Sequence, residues 1–151
     1  MLKWIFALAL GAFLIFFGVM KFTGGAHIFP YIEYKATALG LPFADLAYPF
    51  GNNATGALEL LAGVLLIVPM TRRLGAMLAV APFFGAVLFH LSPALGVVTP
   101  AGYSTPTPSA ALAAGGPFSA ADFSGETNVL FMIAAGGLVL AIVNLIVQRV
   151  R

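Results

Sequence analysis

The sequence predicts an all-α integral membrane protein, a single bundle of four transmembrane helices formed by residues 1–151. Two observations lead to this fold class. Hydrophobic residues make up 61% of the 151 residues and charged residues only 8%, whereas a water-soluble domain carries about 25% charged residues. The apolar residues also fall into four long stretches, each close to the ~20 residues that a helix needs to cross the hydrocarbon core of a bilayer.

The four apolar stretches set the predicted helix bounds at about 3–21, 54–70, 74–91 and 127–148. The second and third stretches are so close in sequence that they must form a tight antiparallel hairpin. Pro82 lies inside the third stretch, where it should kink the helix or free a carbonyl for a neighbouring group. The first stretch also has features of a signal peptide, but its apolar run is long for one, so we expect it to be retained as a helix.

Two longer connections are predicted at the other end of the bundle. Residues 22–53 are rich in aromatic residues and contain several prolines, which indicates short helices lying at the level of the lipid headgroups. Residues 92–127 are rich in Pro, Ala, Gly, Ser and Thr and contain no basic residue. This second loop is therefore either flexible or folded over the mouth of the bundle.

The distribution of Lys and Arg predicts that both termini lie in the cytoplasm. Short loops that carry Lys and Arg stay on the cytoplasmic side of a membrane. With four crossings, five basic residues fall on the side of the termini and two on the opposite side. The five are Lys3, Arg72, Arg73, Arg149 and Arg151, and the two are Lys21 and Lys35.

Composition excludes several kinds of chemistry. The chain has no cysteine, which rules out disulfides, thiol catalysis, iron–sulfur clusters and cysteine-ligated zinc. Two histidines are too few for a His-rich metal site, so we predict no metal. The formal charge of +2 is too small to indicate nucleic-acid binding. No haem or flavin motif is visible either, so we predict no intrinsic cofactor.

Two ionisable residues, Glu59 and His90, lie within the apolar stretches, and Lys21 lies at the C-terminal boundary of the first stretch. Ionisable groups inside a membrane usually face the interior of the bundle and mark function. Because side chains lean toward the N-terminus of their helix, Glu59 should lean outward and the other two inward. We therefore expect all three to converge in the outer leaflet. Gly56 and Gly63 share a helix face with Glu59, and small residues let helices approach closely.

Each of these candidates also has a purely structural interpretation. An ion pair between Lys21 and Glu59 would fix the register of two helices without any ligand, and His90 would cap a helix end at the membrane interface. The aromatic residues of the first and third helices are better explained by packing or lipid contact than by a cofactor. Asn144 is expected to form an interhelical hydrogen bond, and His27 to be a solvated loop residue.

Several short motifs make the sequence similar to the DoxX family of bacterial membrane proteins. The motifs are FGVMKF at 17–22, LGLP at 39–42, LELLAGVLLIVP at 58–69, TRRLGA at 71–76 and FH at 89–90. They cover residues 1–92, while the last apolar stretch matches only as a hydrophobic helix. The long 92–127 loop departs from the family pattern, in which this connection is often shorter.

The resemblance implies a four-helix protein of the bacterial inner membrane with a link to redox enzymes. The family takes its name from a subunit of a thiosulfate:quinone oxidoreductase. Residue by residue, the motifs place Lys21, Glu59 and His90 at the positions that we would assign to ligand binding.

Three hypotheses about function follow. The first is an accessory membrane subunit that binds a quinone or a similar hydrophobic molecule in the outer leaflet and serves an oxidoreductase, whose cofactor a partner protein would hold. The second is a lipid-binding or purely structural membrane protein. The third is an isomerase-type enzyme with Glu59 as proton carrier. The expected partners are membrane lipid and a redox protein, and a homo-oligomer is compatible with the sequence.

Overall fold

The computed structural model of the protein describes residues 2–104 and 117–149, and helices dominate these two ranges. Four of the helices in this part of the chain are long and apolar enough to cross a membrane, the second of them when it is counted from Ala44 to Ile67. In chain order, the helices are α1 (Leu2–Phe22), α2 (Ile28–Ala38), α3 (Ala44–Leu46), α4 (Asn52–Ile67), α5 (Arg72–His90) and α6 (Val129–Arg149).

The bounds of the long helices lie within about three residues of the expected ones. The largest difference is at the end of α4, which stops at Ile67 because Val68 has an extended backbone with φ −76° and ψ 123°. Pro69 follows, and a residue before proline is pushed out of the helical region. Arg72 begins α5, which then runs through Pro82 as one helix to His90.

The long helices pack side by side, α1 along α4, α4 along α5 and α5 along α6, while α6 also contacts α1. Buried side chains such as Leu14 and Leu66 form the apolar core between them. Glycines set the closest approach of α1 and α4, since a Cβ atom added at Gly63 would lie 2.8 Å from the backbone oxygen of Gly11. Such close helix contacts are typical of membrane bundles.

A cap covers one end of the four long helices, and we use this name for residues 23–51, 92–104 and 117–128. The short helices expected in residues 22–53 are present as α2 and α3, and a kinked segment, Ala47–Gly51, in which Tyr48 has an extended backbone (φ −135°, ψ 138°), leads into α4. Ile32 of α2 is buried with Ala47 and Leu95 in a small apolar cluster. This cluster joins the first part of the cap to the chain that follows α5.

The fold is mostly helical, as expected, and the cap adds a small antiparallel ladder. Strand β1 (Gly102–Tyr103) pairs with β2 (Phe123–Ser124), and Thr99 forms an isolated bridge with Thr127. Two-residue strands leave no period-2 pattern in a sequence, so they could not be predicted. The described parts of the 92–127 loop are thus folded over the end of the bundle, while residues 105–116 lie outside the described residues.

Candidate functional site

An ion pair between α1 and α4 lies at the capped end of the bundle. The Nζ atom of Lys21 is 2.6 Å from Oε2 of Glu59, and the two side chains are only 8% and 11% exposed. Gly56, one turn before Glu59, makes room for the lysine, since a Cβ added there would lie 3.1 Å from the Cβ of Lys21. The structure therefore brings together two of the three residues selected from the sequence.

Asn52, which the sequence reasoning did not select, fixes the position of Lys21. Its side-chain Nδ2 donates a hydrogen bond of 2.9 Å to the backbone oxygen of Lys21. The last carbonyls of a helix have no partner within the helix, so Asn52 supplies one and ties the first turn of α4 to the last turn of α1. An Asn at a helix start is normally interpreted as a cap of its own helix, which is why this interhelical role was missed.

His90 is buried at the end of α5, only 3% exposed. Its Nδ1 lies 2.8 Å from the backbone oxygen of Gly96 in the cap, and its ring meets the edge of Phe131 at 5.7 Å between centroids. Within the described residues, His90 forms no hydrogen bond with Lys21 or Glu59. It therefore anchors the cap to α5 and joins the other two residues by lining the same cavity.

A cavity of about 190 Å³ lies between the four long helices beneath α2. The helices α1 and α5 contribute residues from their C-terminal halves, and α4 and α6 from their N-terminal halves, which places the cavity at the capped end. Its wall is mostly apolar, and five aromatic rings contribute to it. The aromatic residues are Phe13, Phe17, Phe29, Phe83 and Phe89, and the polar ones are Lys21, Thr55, Glu59 and His90.

Hydrogen bonds within the cap join α2, which covers the cavity, to the chain that follows α5. Nε2 of His27 lies 2.9 Å from the backbone oxygen of Pro100, and Nζ of Lys35 donates to the backbone oxygen of Leu95 at 3.4 Å. The expectation that His27 is a solvated loop residue is wrong, because the 92–104 segment folds onto it. Burial lowers the pKa of the His27 imidazole below its ordinary value.

The cap also brings two carboxylates near each other on its surface. Glu33 and Asp45 line a second cavity of about 380 Å³, and burial followed by the nearby Asp45 raises the pKa of Glu33. No group of three or more His, Asp or Glu side chains suited to a metal ion occurs in residues 2–104 and 117–149. Pro117, which borders this second cavity, directly follows residues 105–116, which lie outside the described residues. We therefore assign no function to the second cavity.

Two polar groups away from the cavity differ from expectation. Asn144 is fully buried, but the hydrogen bond found in the described residues comes from Gln148 in the same helix, so the predicted interhelical bond is wrong. Gln148 makes the interhelical contact instead, donating to the backbone oxygen of Lys3. Arg72 is only 5% exposed, although the sequence assigned it only to a cytoplasmic turn.

Arg72 closes the opposite end of the bundle. Its Nε and Nη2 atoms donate hydrogen bonds of 3.0 and 3.2 Å to the backbone oxygens of Leu66 and Ile67. Its guanidinium carbon lies 3.3 Å from the centre of the Trp4 ring. Arginine thus supplies partners for the last carbonyls of α4 while stacking on an aromatic face, a role that concerns stability.

Comparison of the chain with protein-family models, with characterised proteins and with solved structures found no match. The similarity to the DoxX family therefore depends on the sequence motifs alone.

Proposed function

We propose that the protein is a DoxX-like, multi-pass protein of the bacterial inner membrane that binds a quinone or a similar hydrophobic ring as an accessory subunit of a redox complex. In this proposal the four long helices span the bilayer, both termini are cytoplasmic and the cap faces outward. The observation that carries the proposal is the cavity itself, because Lys21, Glu59 and His90 line one apolar, aromatic-walled space.

Exposed side chains support the membrane location. Large apolar residues on the outer faces of the long helices are well exposed, including Ile5 at 60% and Met132 at 62%. An apolar surface that extends over the four long helices is far larger than soluble monomers expose. The basic residues at the uncapped end, Arg72 and Arg73 among them, favour a cytoplasmic location for that end, and the proposal then has the cavity in the outer leaflet.

The size of the cavity supports a single ring as the ligand. An apolar cavity of roughly 150 Å³ takes up one benzene molecule, so 190 Å³ suits one substituted six-membered ring. Aromatic side chains favour stacked or edge-to-face contacts with such a ring. A few polar groups in an apolar wall are the usual means of orienting a bound small molecule, and Lys21, Glu59 and His90 fill that role here.

The accessory role follows from what redox chemistry requires. Electron transfer to or from a quinone needs a second redox group, usually a cofactor that the protein binds and orients. The sequence has no cysteine and no visible haem or flavin motif, so the proposal assigns that group to a partner protein. Turnover by the isolated chain would instead favour an isomerase-type enzyme with Glu59 as proton carrier.

A second candidate function is lipid binding or a purely structural role. The short distance between Lys21 and Glu59 favours it, because a satisfied buried ion pair also holds two helices in register. A lipid acyl chain would fill the apolar part of the same cavity without using the polar groups. The two functions differ in whether ligand affinity depends on Glu59.

Binding of a short-chain benzoquinone, and of the corresponding quinol, to the protein in lipid nanodiscs tests the proposal. Gly85 lines the cavity, and a Cβ added there meets no atom within 4 Å, so Gly85→Leu fills the cavity without removing a polar group. We expect this variant and Glu59→Gln each to weaken binding by about tenfold or more. Gly136→Leu is the matched control, since Gly136 has the same free space around it but lies outside the cavity. Binding by Gly85→Leu equal to that of the control would contradict the proposal.

The orientation is tested separately by labelling introduced cysteines in intact cells. The native chain has no cysteine, so each label reports on one position. Met70 is 96% exposed in the turn between α4 and α5, and Ser124 is exposed on the cap. An impermeant maleimide should label Ser124→Cys from outside and reach Met70→Cys only after the membrane is opened. The reverse pattern would contradict the outer-leaflet placement.

A further inference from the structure

The hydrogen bond between His90 and the cap determines which ring nitrogen of His90 carries a proton. Nδ1 lies 2.8 Å from the backbone oxygen of Gly96, and a carbonyl oxygen can only accept, so Nδ1 must be the donor. A neutral imidazole has one N–H group, which leaves Nε2 as an unprotonated acceptor. Within residues 2–104 and 117–149, no protein group donates a hydrogen bond to Nε2.

The cavity therefore presents at least two acceptor atoms, Nε2 of His90 and Oε1 of Glu59, that receive no hydrogen bond from the described residues. Glu59 accepts from Lys21 through Oε2, and in the described part of the chain Oε1 has no hydrogen-bond donor. A carboxylate has no proton of its own to donate. The donors on the cavity wall in that part of the chain are the Thr55 hydroxyl and Lys21, and one N–H group of Lys21 is already directed at Glu59.

We propose that the cavity selects a ring that carries a hydroxyl group, a phenol or the reduced quinol, over the same ring bearing a carbonyl or ether oxygen, and that Nε2 of His90 accepts the hydroxyl proton in a hydrogen bond. This inference rests on the proposed function, that the cavity binds a ring at all. It adds that the bound ring carries a hydroxyl group and that Nε2 of His90 is the atom that distinguishes it from a ring with a carbonyl or ether oxygen.

The physical reason is the cost of unpaired acceptors in an apolar site. A hydroxyl group supplies the proton that Nε2 lacks, so both partners are satisfied. An ether or carbonyl oxygen would bring its own lone pairs toward that of Nε2 and leave Nε2 without a donor. The cost of burying unpaired acceptors corresponds to about a tenfold or larger loss of affinity.

The test compares a 4-alkylphenol with its methyl ether, in which a methyl group replaces the hydroxyl proton; neither compound takes part in redox chemistry under the assay conditions. Affinities for the protein in phosphatidylethanolamine–phosphatidylglycerol nanodiscs are measured at pH 8, where an ordinary imidazole is neutral. Each affinity is calculated from the concentration of the ligand in the membrane, so that unequal partitioning of the two compounds into lipid does not affect the comparison. The wild-type protein should bind the phenol about tenfold more tightly than the ether.

His90→Asn is the informative variant because the amide Nδ2 of Asn can replace Nδ1 as donor to Gly96, while nothing replaces Nε2. In this variant the preference for the phenol over the ether should be lost, so that the two affinities become equal. A phenol preference that persists in His90→Asn would overturn the assignment to His90. Equal affinities in the wild type would overturn the inference and leave ring binding intact, whereas binding of neither compound would overturn both.

A second measurement keeps the inference testable if His90→Asn does not fold. The chain has two histidines, so the ¹⁵N signals of the wild-type imidazoles can be assigned with His27→Gln. Addition of the phenol should shift the Nε2 resonance of His90 in the direction expected for an accepted hydrogen bond, and the ether should not. An Nε2 resonance that already reports a protonated nitrogen at pH 8 would contradict the inference.

Discussion

Removal of one member of the Lys21–Glu59 pair should destabilise the protein far more than removal of both. The two side chains are 8% and 11% exposed, so either single substitution leaves a buried charge without its partner. Breaking a buried pair in this way costs about 3–5 kcal/mol, whereas replacing both members by apolar residues of similar size is often neutral. We therefore expect Lys21→Met and Glu59→Leu each to lower the free energy of unfolding by about 3 kcal/mol.

The double variant should recover most of this loss, which gives a coupling energy above about 2 kcal/mol. Neutral interhelical hydrogen bonds in membrane proteins measure about 0.6 kcal/mol on average, so a coupling this large would be due to charge. The assay is a double-mutant cycle of reversible unfolding in mixed micelles. Lys21→Met combined with Glu126→Gln is the control, since Glu126 is exposed and should add independently. Additive losses for the Lys21–Glu59 pair, each below about 1 kcal/mol, would refute the reasoning.

Three further predictions concern stability. Arg72→Met should lower the free energy of unfolding by about 2–3 kcal/mol, because two helix-end carbonyls lose their donor, while exposed Arg73→Met should change it little; chemical unfolding of both variants measures this. Burial lowers the pKa of His27 in the folded protein. As the pH falls below about 6.5, His27 therefore binds a proton in the unfolded chain before it does so in the folded protein, which favours unfolding. The melting temperature of the wild type should therefore fall between pH 7.5 and 5.5 by more than that of His27→Gln, and parallel curves would contradict this. In α5, Gly75→Ala would bring a Cβ within 2.6 Å of the α4 backbone and should be strongly destabilising, whereas Gly85→Ala meets open space and should stabilise by up to about 1 kcal/mol through helix propensity; equal melting temperatures would contradict the packing of α4 on α5.

The contact between Lys21 and Glu59 was predictable because strong physical constraints act on few residues. An ionisable side chain in an apolar helix needs a partner, and the sequence offered few. The direction in which helical side chains lean then placed Lys21, Glu59 and His90 at one end of the bundle. The structure shows all three lining one cavity. Whether they bind a ligand stays a prediction.

The cap could not be predicted in detail, because its contacts join residues far apart in the chain. His27 and Pro100 are 73 positions apart, and Tyr103 donates a hydrogen bond to the backbone oxygen of Ala26 across 77 positions. No local pattern encodes such contacts. The same limit applies to Asn52, since an Asn at a helix start indicates a cap and carries no sign of a partner in another helix.

The volume of the cavity could not be predicted from the sequence either, because the space is bounded by five helices together, namely α1, α2, α4, α5 and α6. Phe83 shows why, because its ring presses so closely on Gly137 of α6 that a Cβ at that glycine would clash with it. Gly85, two residues further along α5, faces open space. Hydrophobic periodicity places both residues on the same helix but does not show which of them lacks a neighbour.

Mass spectrometry of what copurifies with the detergent-extracted protein tests the central claim most directly. The wild type and Glu59→Gln are purified from the same membranes, and the extracted small molecules are quantified per chain. The account predicts a quinone-type molecule close to one per wild-type chain and its loss from Glu59→Gln, which remains folded. Bulk lipid alone, unchanged by the substitution, would contradict ligand binding and leave the Lys21–Glu59 pair as a contact that holds two helices together.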